Sequence, residues 1–175
     1  YLPSDRHQTR KLMEALLKDT DPAYIRTGRN AVEDVYEEDK IPFEMDKATM
    51  VCDGTDLTII ACGEMVLAAK KAAEELKSQG ISVRVLDMYC VKPLDTEAVV
   101  RAAQETKAII TIEEHGPIGG LAGLLEQVVT SSHPVKMAMM TLPDAPCVAG
   151  KSQEIFDHYG LNAAGIVAKA KELLA

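Results

Sequence analysis

Runs of apolar residues alternate with amphipathic stretches along most of this chain. Val83, Val85 and Leu86 read as a buried strand, and Ala108 to Ile112 as another. Between them, Asp95-Thr96-Glu97 opens a helix that runs through Gln104. Leu57 to Ala61 is a strand, and Gly63 leads from it into a helix from Glu64 to Ser78. There Met65, Leu67, Ala68, Ala72 and Leu76 form an apolar stripe, and Gly80 ends it. Ala48 to Val51 is a further strand, joined to Leu57–Ala61 through Cys52-Asp53-Gly54-Thr55-Asp56. Asp-Gly between apolar runs predicts a hairpin turn. Helix Leu121 to Val129, a Met-rich strand Val135 to Leu142, a short helix Ser152 to His158 and a terminal helix Asn162 to Leu174 complete the pattern. Strands alternating with helices in this way predict an α/β domain with a doubly wound, mostly parallel sheet.

The first thirty residues have another rhythm. Ser4-Asp5 caps a helix that places Leu12, Met13, Leu16 and Leu17 at helical spacing. Asp19-Thr20-Asp21-Pro22 stops it, and Ala23 to Thr27 reads as a short strand ending at Gly28-Arg29-Asn30. From Glu33 to Asp46 there are seven acidic residues against Lys40, with Pro42 among them. That composition predicts an exposed linker over 31–46 between two units, 1–30 and 47–175.

The chain has 175 residues, 47% of them hydrophobic, enough for one ordinary domain with an appended piece. Its net charge of −8 argues against nucleic acid or an anionic membrane as partner, while leaving room for a local phosphate site. The apolar runs are too short to span a bilayer. Cys52, Cys62, Cys90 and Cys147 include no Cys-x-x-Cys pair, and three of them lie in apolar runs, which suits a reduced cytoplasmic protein. The opening Tyr1-Leu2-Pro3 reads as a chain cut from something longer.

Candidate chemistry is sparse. Glu113, Glu114 and His115 follow a strand, where α/β proteins place ligands, and could form an acid/base cluster or simply a charged turn. Gly63 and the pair Gly119-Gly120 precede helices. Such glycines could bind an anion, but more often serve close packing and positive φ. The four histidines have no zinc-type spacing. Arg26 and Arg29 sit at the end of the short strand, where guanidinium groups could grip a phosphate or pair with the acidic stretch that follows.

Five segments occur in order: Pro3-Ser4-Asp5; Tyr24-Ile25-Arg26-Thr27-Gly28-Arg29; Val85-Leu86-Asp87 with Lys92-Pro93-Leu94-Asp95; Ile112-Glu113-Glu114-His115 with Gly119-Gly120; and His158-Tyr159-Gly160-Leu161. Together they resemble the C-terminal part of the transketolase family over essentially the whole chain, most closely the form split into N- and C-terminal subunits. The resemblance implies that 1–30 are the last helix and strand of a pyrimidine-binding domain and 47–175 the C-terminal domain. It implies an enzyme that moves two-carbon ketol units between phosphosugars using thiamine diphosphate and Mg. It also implies an N-terminal subunit as partner, in a homodimer or heterotetramer. The Gly-Asp-Gly…Asn motif for Mg and diphosphate is missing here, so this chain alone is expected to bind no cofactor and to be inactive.

By the same resemblance, Asp5 matches an aspartate that hydrogen-bonds the donor sugar and Arg29 an arginine that holds the substrate phosphate, with Arg26 as a neighbour. Deoxyxylulose phosphate synthases, which are close relatives, usually carry Arg where this chain has Tyr89. A synthase, or a non-catalytic assembly module with its Met137, Met139 and Met140 strand facing a partner, are the alternatives.

Overall fold

The computed structural model describes residues 1–175, with six helices and five strands. The strands are β1 (Thr49–Cys52), β2 (Leu57–Ala61), β3 (Val83–Asp87), β4 (Ala108–Ile112) and β5 (Lys136–Met140), in the sheet order β1-β3-β2-β4-β5. β3, β2, β4 and β5 are parallel, and β1 runs antiparallel on the β3 edge. Every residue of β2, β3 and β4 is buried, the polar Thr58, Arg84, Asp87 and Thr111 included, because both faces of the sheet are covered.

The helices form the two covering layers. α2 (Met65–Ser78) and α6 (Ala163–Leu174) pack on one face against Leu57, Ile59, Val85, Ile110 and Ile112. α3 (Thr96–Glu105) and α4 (Leu121–Ser132) cover the other face over Ile60, Leu86 and Ile109. α5 (Ser152–Tyr159) adds Phe156 to the first layer. Side chains alternate along each strand, so one sheet feeds two cores. The predicted doubly wound architecture is therefore present. None of the helices is long and apolar enough to cross a membrane.

The hairpin expectation fails. β1 pairs with β3, not with β2, in the register Thr49↔Asp87 and Met50↔Leu86. The Asp53-Gly54 turn instead carries the chain past the start of β3. A Cβ on Gly54 would stand 2.3 Å from the Val83 carbonyl carbon, so only glycine fits this crossing. Asp53 anchors the turn through Gly54 N–H at 2.8 Å and Arg84 Nε at 2.7 Å.

The N-terminal segment does not join the sheet. α1 (Arg6–Leu16) docks through fully buried Leu12 onto Tyr89 and Cys90. The predicted strand over 23–27 is extended chain without a strand partner. Its ladder-type bonds go only to Tyr1, with Tyr1 N–H donating to Tyr24 O at 2.8 Å and Arg26 N–H to Tyr1 O at 2.9 Å. Nor is the acidic stretch 31–46 uniformly exposed. Val35, Tyr36 and Ile41 are buried in the main core, between acidic residues that face water. On the far edge, β5 exposes Met139 and buries Met140, so its methionines divide between solvent and core.

Candidate functional site

The carboxyl ends of the parallel strands point toward residues 1–36, and two clefts open there. The first, about 250 Å³, lies between residues 1–3 and 24–28 on one side and the turns after β2 and β4 on the other. Arg26, Cys62, Glu64, Glu113, Glu114 and His115 all line it.

These residues form a frame rather than an acid/base pair. Glu113 is buried, and its carboxylate accepts Leu121 N–H at 2.7 Å and Ala122 N–H at 2.9 Å. It therefore caps α4 from outside the helix, where a carboxylate satisfies free N–H groups and complements the helix dipole. Gly120 makes room for this, since a Cβ there would lie 2.5 Å from Glu113 Oε2. Gly119 has φ +77° and Gly63 φ +56°, so both serve turn geometry. Glu114 reaches Arg26 Nη2 at 3.4 Å, and His115 Nδ1 sits 2.9 Å from Gly116 O. Burial and the nearby Glu114 raise the Glu64 carboxyl above the usual range. Burial pushes the Cys62 thiol up to about 12, which removes it as a thiolate nucleophile.

The second cleft, about 560 Å³, opens between the 29–33 segment, α2 and the start of α5. Its charged lining is Arg29, Glu33, Glu64, Lys71 and Lys151. Gly28, between the two arginines, packs so closely on Glu64 that a Cβ would fall 2.0 Å from Oε1. Arg26 and Arg29 consequently diverge, one into each cleft.

Asp5 lines neither cleft. It is 3% exposed, with Oδ1 accepting Gln8 N–H at 2.8 Å as the cap of α1. Its Oδ2 accepts Val35 N–H and Tyr36 N–H, each at 2.9 Å. Both oxygens thus accept backbone N–H groups, which gives Asp5 a structural task at the start of α1.

A buried polar knot beside it escapes sequence reasoning. Asp87, at the end of β3, is fully buried, and its Oδ2 accepts Ser4 Oγ at 2.7 Å and Tyr36 OH at 2.8 Å. Its Oδ1 has no partner. Burial is the main reason its carboxyl rises to about 7, against weaker lowering by Ser4 and Tyr36. The geometry agrees with a neutral acid. Ser4 has one hydroxyl proton but faces both Asp87 Oδ2 and Gln8 Oε1, the latter at 3.0 Å. A proton on Asp87 resolves the conflict by donating to Ser4 Oγ. The only signal in the sequence is a carboxylate at the end of β3, whose last three residues are Val85, Leu86 and Asp87.

Tyr89 is also buried. Its hydroxyl donates to Glu44 O at 2.8 Å and accepts Asp46 N–H at 3.0 Å, while its ring packs on Phe43. It therefore contributes to neither cleft.

Comparison with known proteins fits this architecture. The family profile described as "Transketolase, C-terminal domain" matches residues 46–166. The chain is 48% identical over 173 residues to one of the subunits of an apulose-4-phosphate transketolase from Phocaeicola vulgatus, covering 99% of this chain and 55% of that protein. It is 34% identical to a putative transketolase C-terminal section of Methanocaldococcus jannaschii, over 97% and 54% of the two chains. A 1-deoxy-D-xylulose-5-phosphate synthase of Pseudoalteromonas atlantica matches at 31% identity over 99% of this chain and 27% of its own. Among solved structures, a split-gene transketolase in the form of an inactive beta4 tetramer superposes with a TM-score of 0.90 at 37% identity, covering 99% of this chain and 57% of that one. The chain thus spans about half the length of the split-enzyme relatives it matches.

Proposed function

The chain belongs to the transketolase family, as a C-terminal part of such an enzyme, and on that premise we propose that it helps move a two-carbon ketol unit between phosphosugars by gripping the substrate phosphate at Arg29. The observation that carries this is the position of Arg29. It lines the wide second cleft and takes part in none of the chain's ion pairs, whereas Arg26 is drawn toward Glu114 in the first. A guanidinium holds a phosphate by two parallel hydrogen bonds. Held at that remote end, the sugar presents its reacting carbon in a fixed place, which lowers the entropic part of the barrier. A relative that is 48% identical is named for a phosphorylated sugar, which supports a phosphate as the gripped group.

Enzymes of this family use thiamine diphosphate, which supplies the carbanion chemistry when bound. The Gly-Asp-Gly…Asn motif that holds Mg and diphosphate in the family does not occur in residues 1–175. We assign the cofactor and its metal to an N-terminal partner subunit, and to this chain the phosphate grip and part of the assembly. The similarity to an inactive tetramer of beta chains supports inactivity of this chain alone. Asp5 acts on the grip only indirectly, by fixing the backbone at 35–36 just beyond it.

In the assembled enzyme, Arg29→Ala is expected to raise KM for a phosphosugar by about tenfold or more, from the loss of a charge-assisted pair, with a smaller change in kcat. An unchanged KM would remove Arg29 from the site. The synthase relatives keep a second donor in play. Pyruvate compared with a ketose phosphate as donor separates the two activities in one product assay, and the proposal requires the ketose phosphate.

A further inference from the structure

We propose that Lys151 is the second cation of the Arg29 grip, so that the second cleft seats the doubly charged phosphate of a sugar between residues from two sides of the chain. This rests on the phosphate reading of Arg29 above and adds a specificity-determining residue to it.

The argument starts from charge. The chain carries −8 overall, yet this cleft gathers three cations, Arg29, Lys71 and Lys151. Lys71 is neutralised by Glu33, with Nζ and Oε1 2.9 Å apart. Neither Arg29 nor Lys151 belongs to an ion pair. Of the carboxylates nearby, Glu33 is engaged by Lys71, and Glu64 packs against Gly28 without forming an ion pair with either cation. Glu154 turns its Oε2 back to the Lys151 backbone N–H at 3.2 Å. Two exposed cations without a carboxylate partner in one concavity make a local positive site for an anion on an otherwise acidic protein.

A direct bond then links the residues that follow the two cations. Asn30 Nδ2 donates to Ser152 Oγ at 3.1 Å. Asn30 follows Arg29 and Ser152 follows Lys151, so the bond clamps the two cation-bearing positions side by side across 122 residues of sequence. Ser152 is also the first residue of α5, so the positive end of that helix dipole lies on the same wall. Arg29 offers a planar fork and Lys151 a compact ammonium. Together they match two negative charges spread over a tetrahedral group, where Arg29 alone balances only one.

The test uses the assembled two-subunit enzyme with its cofactor. The donors are a ketose phosphate and the same ketose without its phosphate, compared by the ratio of their kcat/KM values. Lys151→Gln is expected to lower that preference for phosphate about tenfold, mainly through KM, and Lys151→Arg to restore most of it. A preference unchanged by Lys151→Gln, while Arg29→Met still lowers it, overturns the role of Lys151 and leaves the Arg29 reading intact. A preference unchanged by either substitution overturns both. A loss in Lys151→Gln that Lys151→Arg fails to restore, or one that falls wholly on kcat, assigns Lys151 a merely structural part and likewise overturns the proposal.

Discussion

Replacing Asp5 by alanine distinguishes the two roles open to this residue. The substitution deletes the cap of α1 and leaves three backbone N–H groups, on Gln8, Val35 and Tyr36, without their acceptor. Loss of an N-cap costs about 1 kcal/mol, and each further buried N–H left unpaired roughly 1–3 kcal/mol. Entry of water into the vacated space offsets part of this, so a destabilisation of about 3 kcal/mol is expected. At a urea slope of about 2 kcal/mol per molar, the unfolding midpoint falls by roughly 1.5 M. Asp5→Asn should lie between wild type and alanine. Its single carbonyl oxygen can serve Gln8 or the 35–36 pair, while its amide then faces the remaining donors. Equilibrium unfolding followed by circular dichroism measures all three. An Asp5→Ala protein with an unshifted midpoint but a raised KM for the donor sugar would refute the structural assignment and return Asp5 to the substrate.

Two further predictions concern buried acids. Asp87 titrates near 7 when folded and in the ordinary carboxylate range, near 4, when unfolded, so between these values the folded state binds a proton that the unfolded state does not. Its stabilising contribution is then fully present below about pH 4 and is lost as pH rises through about 7; Asp87→Asn should flatten the fall in stability between pH 5 and pH 8, and a wild type equally stable at both would count against a neutral Asp87. Gly120→Ala forces the Glu113 carboxylate away from the Leu121 and Ala122 N–H groups, with an expected loss of about 2 kcal/mol in urea unfolding. An unchanged midpoint would show that the cap on α4 is dispensable.

What is legible in the sequence is what is local. β4 can be read at its observed ends because a run of buried residues between a helix and two glutamates has one reading. α3 declares itself through Asp95, whose carboxylate accepts Ala98 N–H at 3.1 Å. The features that mislead all involve partners distant in sequence. Asp53-Gly54 has hairpin chemistry, but the strand that claims β1 lies thirty residues further on. In the acidic stretch, Val35, Tyr36 and Ile41 follow no period, so nothing marks them as core. Asp5 is recognisable as a cap, yet its second oxygen is taken by a segment thirty residues away, which no local pattern announces. Arg29 is legible through its motif. Lys151 is not, because one lysine in a glycine-containing loop carries no pattern until Asn30 and Ser152 are seen to meet.

The central claim, that this chain completes a ketol-transferring enzyme whose cofactor is held elsewhere, is tested most directly by reconstitution. The chain, the N-terminal subunit and their mixture should each be assayed with thiamine diphosphate, Mg, a ketose phosphate donor and an aldose phosphate acceptor. The account predicts two-carbon transfer from the mixture and none from this chain alone. Turnover by this chain without its partner, or no transfer from the assembled pair, would contradict it.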